Sequence, residues 1–248
     1  TPASVINMLA RGETVARRLT VAEGLTVAEV FRLLAETEGL SGELPEPPPE
    51  GSLLPETYFY ALGDERAALV RRMQRGMRQL LDELWPARVD ALPLADREQA
   101  LILASIVDKE TGVAEERGAV AAVFYNRLRR GMRLQSDPTV IYGLTEGNGP
   151  LDRELTRADW LHDSPYNTYL IDGLPPGPIG NPGRAALEAV LNPDDVDYLY
   201  FVADGSGGHA FGRTLEEHNR NVAKWRRLKN GRQSGPAPPP PGKPDPAG

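Results

Sequence analysis

The chain has no cysteine, so neither a disulfide framework nor thiolate chemistry is open to it. It has no run of about 18 or more apolar residues, so no segment of it spans a bilayer as a helix. It also lacks an excess of positive charge. Against 28 Lys and Arg stand 35 Asp and Glu, a formal net charge of -7. A polyanion meets no broad attraction from such a surface, which argues against a nucleic acid as partner. Its three histidines, His162, His209 and His218, lack metal-ligand spacing such as HExxH, so no metal is expected. Asp204–His209, DGSGGH, lacks the GK[ST] ending of a phosphate loop and reads as a hairpin turn. Ser206 is not in a GxSxG elbow, which disfavours a serine hydrolase. No internal repeat is present. Thr1–Arg11 has neither the charged region nor the apolar run of a signal peptide and reads as the continuation of an element. The chain is expected to be the excised soluble portion of a longer protein.

What is present is ordinary globular composition: 248 residues, 40% hydrophobic and 25% charged. A strand is expected at Arg17–Val21. A helix should run from an N-cap at Thr26 to about Thr37, with Glu29 completing a capping box and Gly39 ending it. Pro45–Pro49 reads as a linker, Thr57–Tyr60 as a short strand and Glu65–Leu84 as a long helix. Asp96 caps a helix over Arg97–Thr111, and a second helix covers about Glu115–Arg130. Met132–Gly183 is dense in Gly, Pro, Asn and Asp and reads as a long functional loop region. A hairpin of Asp197–Ala203 and His209–Phe211, then a helix over Leu215–Lys229, complete the ordered part. From Gly231 the composition is that of a disordered tail.

Within Arg97–Thr111 the acid Glu110 stands out. At about 100° per residue, Leu103, Ile106 and Val107 fall within about 60° of it, while Asp108 falls about 160° away. Glu110 therefore projects from an apolar face and Asp108 does not. A carboxyl desolvated by Leu and Ile keeps its proton to higher pH, as a general acid near neutrality requires. The other reading is an ordinary one: a Glu near a helix C-terminus can simply be solvated or salt-bridged at the edge of the core. Spacing alone leaves both open.

The stretch LASIVDKETGVAEERGAVAAVFYNRLRRGMRLQSDPTVIYGL, Leu103–Leu144, resembles the MltG/YceG-like family of endolytic murein transglycosylases. Three further blocks carry the resemblance in the same order: EGSLLPETYFY (Glu50–Tyr60), SPYNTYLIDGLPPGPIGNPG (Ser164–Gly183) and YLYFVADGSGGHAFGRTLEEHN (Tyr198–Asn219). The resemblance implies an α+β fold in which a LysM-like βαβ subdomain packs on a mixed α/β catalytic domain, with the active cleft between them. The corresponding boundaries are 1–62, 63–230 and a disordered tail at 231–248.

It implies one catalytic Glu at the position of Glu110 and no cofactor. The substrate would be peptidoglycan glycan strands, cut by a lyase reaction that leaves 1,6-anhydro-N-acetylmuramic acid ends and so terminates strand elongation. It further implies a bacterial inner-membrane protein, held by an N-terminal helix that this chain lacks, facing the periplasm and working beside peptidoglycan synthases. Rival readings are a non-catalytic glycan-binding scaffold and a glycoside hydrolase on the same substrate. For sugar contacts, Gln135, Asp137, Thr139, Asn167 and Thr168 offer polar groups, and Tyr142, Tyr166 and Tyr169 offer flat apolar faces. Each has a plainer alternative: Asp137-Pro138 as a turn or helix N-terminus, the tyrosines as core. Asp137 is the one candidate for a second acidic group.

Overall fold

The computed structural model describes residues 16–233. The expectations for Thr1–Arg11 and for the tail beyond residue 233 lie outside the described residues. The chain divides into two compact units between Asp197 and Tyr198.

The first unit opens with β1 (Arg17–Thr20), α1 (Val27–Glu36) and β2 (Thr57–Tyr60). β1 and β2 pair antiparallel, with Leu19 opposite Tyr58 and Arg17 opposite Tyr60. The Thr26 capping box is complete: Thr26 Oγ1 accepts from the Glu29 N–H at 3.2 Å, and the Glu29 carboxylate accepts from the Thr26 N–H at 2.8 Å. Val27, Val30 and Leu34 bury the inner face of α1 against Leu19, Tyr58 and Tyr60. That core does not close within this segment. Leu69, Val70 and Met73 of α2 (Arg66–Leu84) belong to the same cluster, so the βαβ segment shares its core with the helix that follows.

The rest of the unit is helical. α3 (Arg97–Glu110), α4 (Arg117–Arg129) and α6 (Arg184–Leu191) pack on one another, and α5 (Asp137–Thr145) lies against α3. In α4 the seven consecutive residues Ala119–Tyr125 are buried, the mark of a helix covered on all sides. Each fully buried Leu, Ile or Val here contributes roughly 1.5–3 kcal/mol. Asp96 caps α3, accepting from the Gln99 N–H at 2.9 Å; the Gln99 side chain turns back to Ala95 rather than to Asp96.

Two helices go beyond the expected elements, although a helix start at Asp137-Pro138 was one of the open readings. α5 lies inside the stretch read as loop, where Thr, Val, Ile, Tyr and Gly143 give weak helix propensity; packing against α3 overrides it. α6 follows the NPG turn and buries Ala186, Leu187, Val190 and Leu191.

Asn181 joins the βαβ segment to the helices. Its backbone N–H donates to Leu25 O and its carbonyl accepts from the Gly24 N–H, both at 2.8 Å. Its side-chain amide donates to Leu25 O and its Oδ1 accepts from the Leu53 N–H, again both at 2.8 Å. Asn181 is wholly buried. A side chain at Gly180 would lie 2.5 Å from the Gly24 carbonyl oxygen, so the two backbones approach this closely only because that residue is glycine.

The second unit consists of β3 (Tyr200–Ala203), β4 (His209–Gly212) and α7 (Leu215–Gln233). β3 and β4 form the expected antiparallel hairpin, and the Asp204 carboxylate accepts from the Ser206 N–H in its turn at 2.7 Å. Residues 231–233 extend α7 rather than opening the tail.

Candidate active site

Glu110 is the last residue of α3, where the helix emerges from the core. Leu103, Ile106 and Val107, the residues sharing its face, are completely buried, and Glu110 itself is half-buried at their edge. Its Oε1 accepts a hydrogen bond from the Ser136 hydroxyl at 2.5 Å. Such a short hydroxyl–carboxylate contact is of the strong, charge-assisted kind. Ser136 is 1% exposed, so it presents this hydroxyl from a fixed position.

A buried hydroxyl cluster fixes Ser136 in turn. Its N–H donates to Thr168 Oγ1 at 3.0 Å, and Thr168 Oγ1 lies 2.8 Å from Thr139 Oγ1. Thr139 Oγ1 also donates to the Ser136 carbonyl at 2.6 Å. Gln135, just before, is exposed and holds a φ of 50°, a left-handed conformation that a non-glycine residue adopts at a cost of about 1–3 kcal/mol. Its N–H donates to the Thr168 carbonyl at 3.1 Å. The strained residue thus adjoins the one that holds Glu110.

Asp137 is the first residue of α5, after the N-cap Ser136; its Oδ1 accepts from the Tyr169 phenol at 2.6 Å and from the Trp160 indole N–H at 3.0 Å. Burial pushes the Tyr169 phenol well above its ordinary pKa, helped by the Asp137 hydrogen bond and charge and by the charge of Glu110, with Arg127 opposing. Tyr169 therefore remains a donor and stands within the field of Glu110.

Three of the residues read as sugar contacts occupy a different place. Thr139, Asn167 and Thr168 are 0% exposed. Thr139 and Thr168 support Ser136 as described. Asn167 donates to the carbonyls of Trp160 and His162 at 3.1 and 2.8 Å and accepts from the Tyr169 N–H at 3.0 Å. Their polar groups hold the loops around Glu110 and do not face outward; buried polar groups need such partners, and here they find them internally. Gln135, Asp137 and Tyr169 do reach the surface around Glu110.

Tyr142 and Tyr166 form a second group further along α5. Their rings lie 4.7 Å apart, tilted by 50°. Tyr142 lines two cavities. One, about 260 Å³, lies between Thr26 and Glu29 of the βαβ segment, Lys109, and Pro138, Ile141 and Thr145 of α5. The other, about 500 Å³, is lined by both tyrosines with Glu146, His162, Asp163 and Ser164. Glu50, which the sequence reading passed over as a site residue, meets the Tyr142 phenol at 3.4 Å. It is the first residue of the EGSLLPETYFY block, and that place in the block was the available signal.

Asp108 leaves the helix on the other side. Its side chain is 2% exposed, 3.6 Å from the Arg117 guanidinium and 3.4 Å from the Gly183 N–H. Burial raises its pKa to about 6 and the nearby Glu23 adds to this, while Arg117 opposes. Among the described residues no group of His, Asp and Glu is arranged to hold a metal ion.

Fold and site together define an α+β protein with one carboxylate at the rim of its core, pinned by a buried hydroxyl and flanked by tyrosines. A model of the YceG-like family matches residues 1–224. The chain belongs to the YceG-like family. It is 39% identical over 188 residues to the endolytic murein transglycosylase of Bacillus subtilis, covering 74% of this chain and 49% of that protein. Its identity to the Streptococcus pneumoniae R6 protein of the same name is 37% over 181 residues, covering 71% and 32%. The chain thus spans half or less of these relatives' length. The crystal structure of a YceG-like protein from Listeria monocytogenes superposes with a TM-score of 0.66 at 32% identity, covering 88% of this chain and 80% of that one.

Proposed function

We propose that this chain is the glycan-cleaving part of an endolytic peptidoglycan lytic transglycosylase, with Glu110 as its catalytic acid and base. The observation that carries the reading is the 2.5 Å hydrogen bond from buried Ser136 to a carboxylate standing at the end of an apolar helix face. An acid that must aim a proton at one oxygen atom needs this kind of fixed support.

Protonated Glu110 gives its proton to the glycosidic oxygen between N-acetylmuramic acid and N-acetylglucosamine. As carboxylate it then takes the proton of the muramic 6-hydroxyl, which attacks its own anomeric carbon and closes the 1,6-anhydro ring. The glycosidic bond breaks, the 6-oxygen–carbon bond forms, and no water is consumed. Gln135, Asp137 and Tyr169 contact the sugars nearest Glu110, and Tyr142 and Tyr166 stack on a neighbouring ring. Thr139, Asn167 and Thr168 act as positioning residues beneath them.

The β1–α1–β2 segment serves as the LysM-like glycan-holding lobe, with domain limits near 62 and 230. In the whole protein we place a membrane anchor ahead of this lobe, a periplasmic site of action beside peptidoglycan synthases, and a role in ending strand elongation. These placements rest on the motif resemblance. Purified chain given uncrosslinked glycan strands should yield shorter chains with 1,6-anhydro ends, cut at internal bonds. Mass spectrometry decides: ends heavier by one water would replace the lyase with a hydrolase, and strand binding without cutting would leave a binding module.

A further inference from the structure

We propose that Glu50 is a positioning residue for glycan binding: from the βαβ segment it holds the Tyr142 phenol, and with it the tyrosine pair that walls two adjoining cavities. The inference rests on the function proposed above and adds a carboxylate to it, one that acts on binding rather than on bond cleavage. The two oxygens of Glu50 have separate tasks. Oε1 accepts from the Val27 N–H at 2.8 Å, the Asn181 amide at 3.3 Å and the Gly51 N–H at 3.4 Å. Val27 is the first residue of α1, so this half of the carboxylate sits at the positive end of that helix and anchors the segment.

Oε2 is turned toward Tyr142, whose hydroxyl donates to it at 3.4 Å. Burial raises the Glu50 pKa, with the bonds from Val27, Gly51 and Tyr142 and the charge of Lys109 pulling it back. Burial pushes the Tyr142 phenol up, and the charge and hydrogen bonding of Glu50 and Tyr166 add to this, so it stays a donor.

The ring of Tyr142 has little room to move. A side chain at Gly147, where φ is +73°, would stand 2.9 Å from it, so the loop closes directly over the ring. The Tyr166 ring also packs against it, centroid to centroid 4.7 Å. Because Tyr142 borders both the 260 Å³ and the 500 Å³ cavity, its orientation sets the partition between them. A pyranose ring presents flat C–H faces that pack on tyrosine, so this partition is the natural platform for one sugar of a strand. A phenol released from Glu50 would tilt that platform without touching Glu110.

The test separates the two oxygens. Glu50→Gln keeps an acceptor for Val27 and Asn181 but replaces the acceptor facing Tyr142 with an amide N–H; Tyr142→Phe removes the phenol itself. With uncrosslinked glycan strands, each variant should raise KM about tenfold with kcat within about threefold of wild type, at an unchanged melting midpoint. The double variant should be no worse than either single one, since both remove one interaction. Unchanged KM in both variants, KM effects that multiply in the double variant, or a lowered midpoint with kcat and KM failing together would each overturn the proposal. A wild type that cuts nothing sinks the enzyme reading instead. The same substitutions in a Glu110→Gln background, assayed for strand binding, then still decide the role of Glu50, with an expected rise in Kd of about tenfold.

Discussion

Two residues apart at the end of α3, Asp108 and Glu110 enter opposite surroundings. Asp108 is sealed behind the seam with the βαβ segment, where its partners are a guanidinium and a backbone N–H and its pKa is driven to about 6. Glu110 meets the buried Ser136 hydroxyl at close range and keeps part of its surface in the open. Both carboxylates leave the same helix, so the difference comes from what the rest of the chain brings to each side. Burial alone therefore does not pick out the proposed acid: the more buried of the two, Asp108, has a side chain only 2% exposed.

Substitutions at three positions test that contrast. Glu110→Gln, nearly isosteric, should lower the rate of glycan cleavage by at least about a hundredfold, the low end of what general acid–base catalysis supplies, with no change in melting midpoint. Release of fragments near the wild-type rate would make the two acids equivalent and the assignment wrong.

Ser136→Ala should come next, lowering kcat about 10- to 100-fold, because a hydrogen bond to a charged group is worth roughly 1.5–3 kcal/mol. Steady-state kinetics at saturating strand would show it, and an unaltered kcat would mean Glu110 needs no holder.

Asp108→Asn should leave cleavage within about tenfold of wild type and act on stability. Its folded pKa stands above the ordinary value of 3.8, so folding favours the protonated form. That contribution is full below about pH 4 and is lost as pH rises toward 6, a change of about 1–3 kcal/mol. Asparagine, neutral throughout, should flatten this decline, so melting midpoints of variant and wild type should separate in the variant's favour above pH 6. A loss of activity as deep as that of Glu110→Gln would merge the two regions into one.

Much of the fold could be read from local chemistry. The Thr26 and Asp96 caps, the Thr57–Tyr60 strand and the Asp204–Gly208 turn are decided within a few residues, and the structure has them where those residues put them. The wheel likewise separates Glu110 from Asp108, because helix periodicity is a local property. Of α5 only the start was legible, as one of two readings of Asp137-Pro138; the residues that continue it favour a helix only once α3 is beside them. The burial of Thr139, Asn167 and Thr168 was not legible for a related reason: a polar residue in a loop looks the same in sequence whether its bonds go outward or to other loops. Glu50 and Ser136 were missed because each works through a partner far along the chain, Tyr142 at 92 residues and Glu110 at 26.

The seam at Asn181 fixes how the βαβ segment is fastened to the helices. Four hydrogen bonds of 2.8 Å cross it at one buried residue, and the Gly180 backbone presses on Gly24 with no side chain between. A rivet of this kind leaves no hinge at that point: to swing the βαβ segment away from the helices, these buried bonds would have to be broken and their groups left without partners.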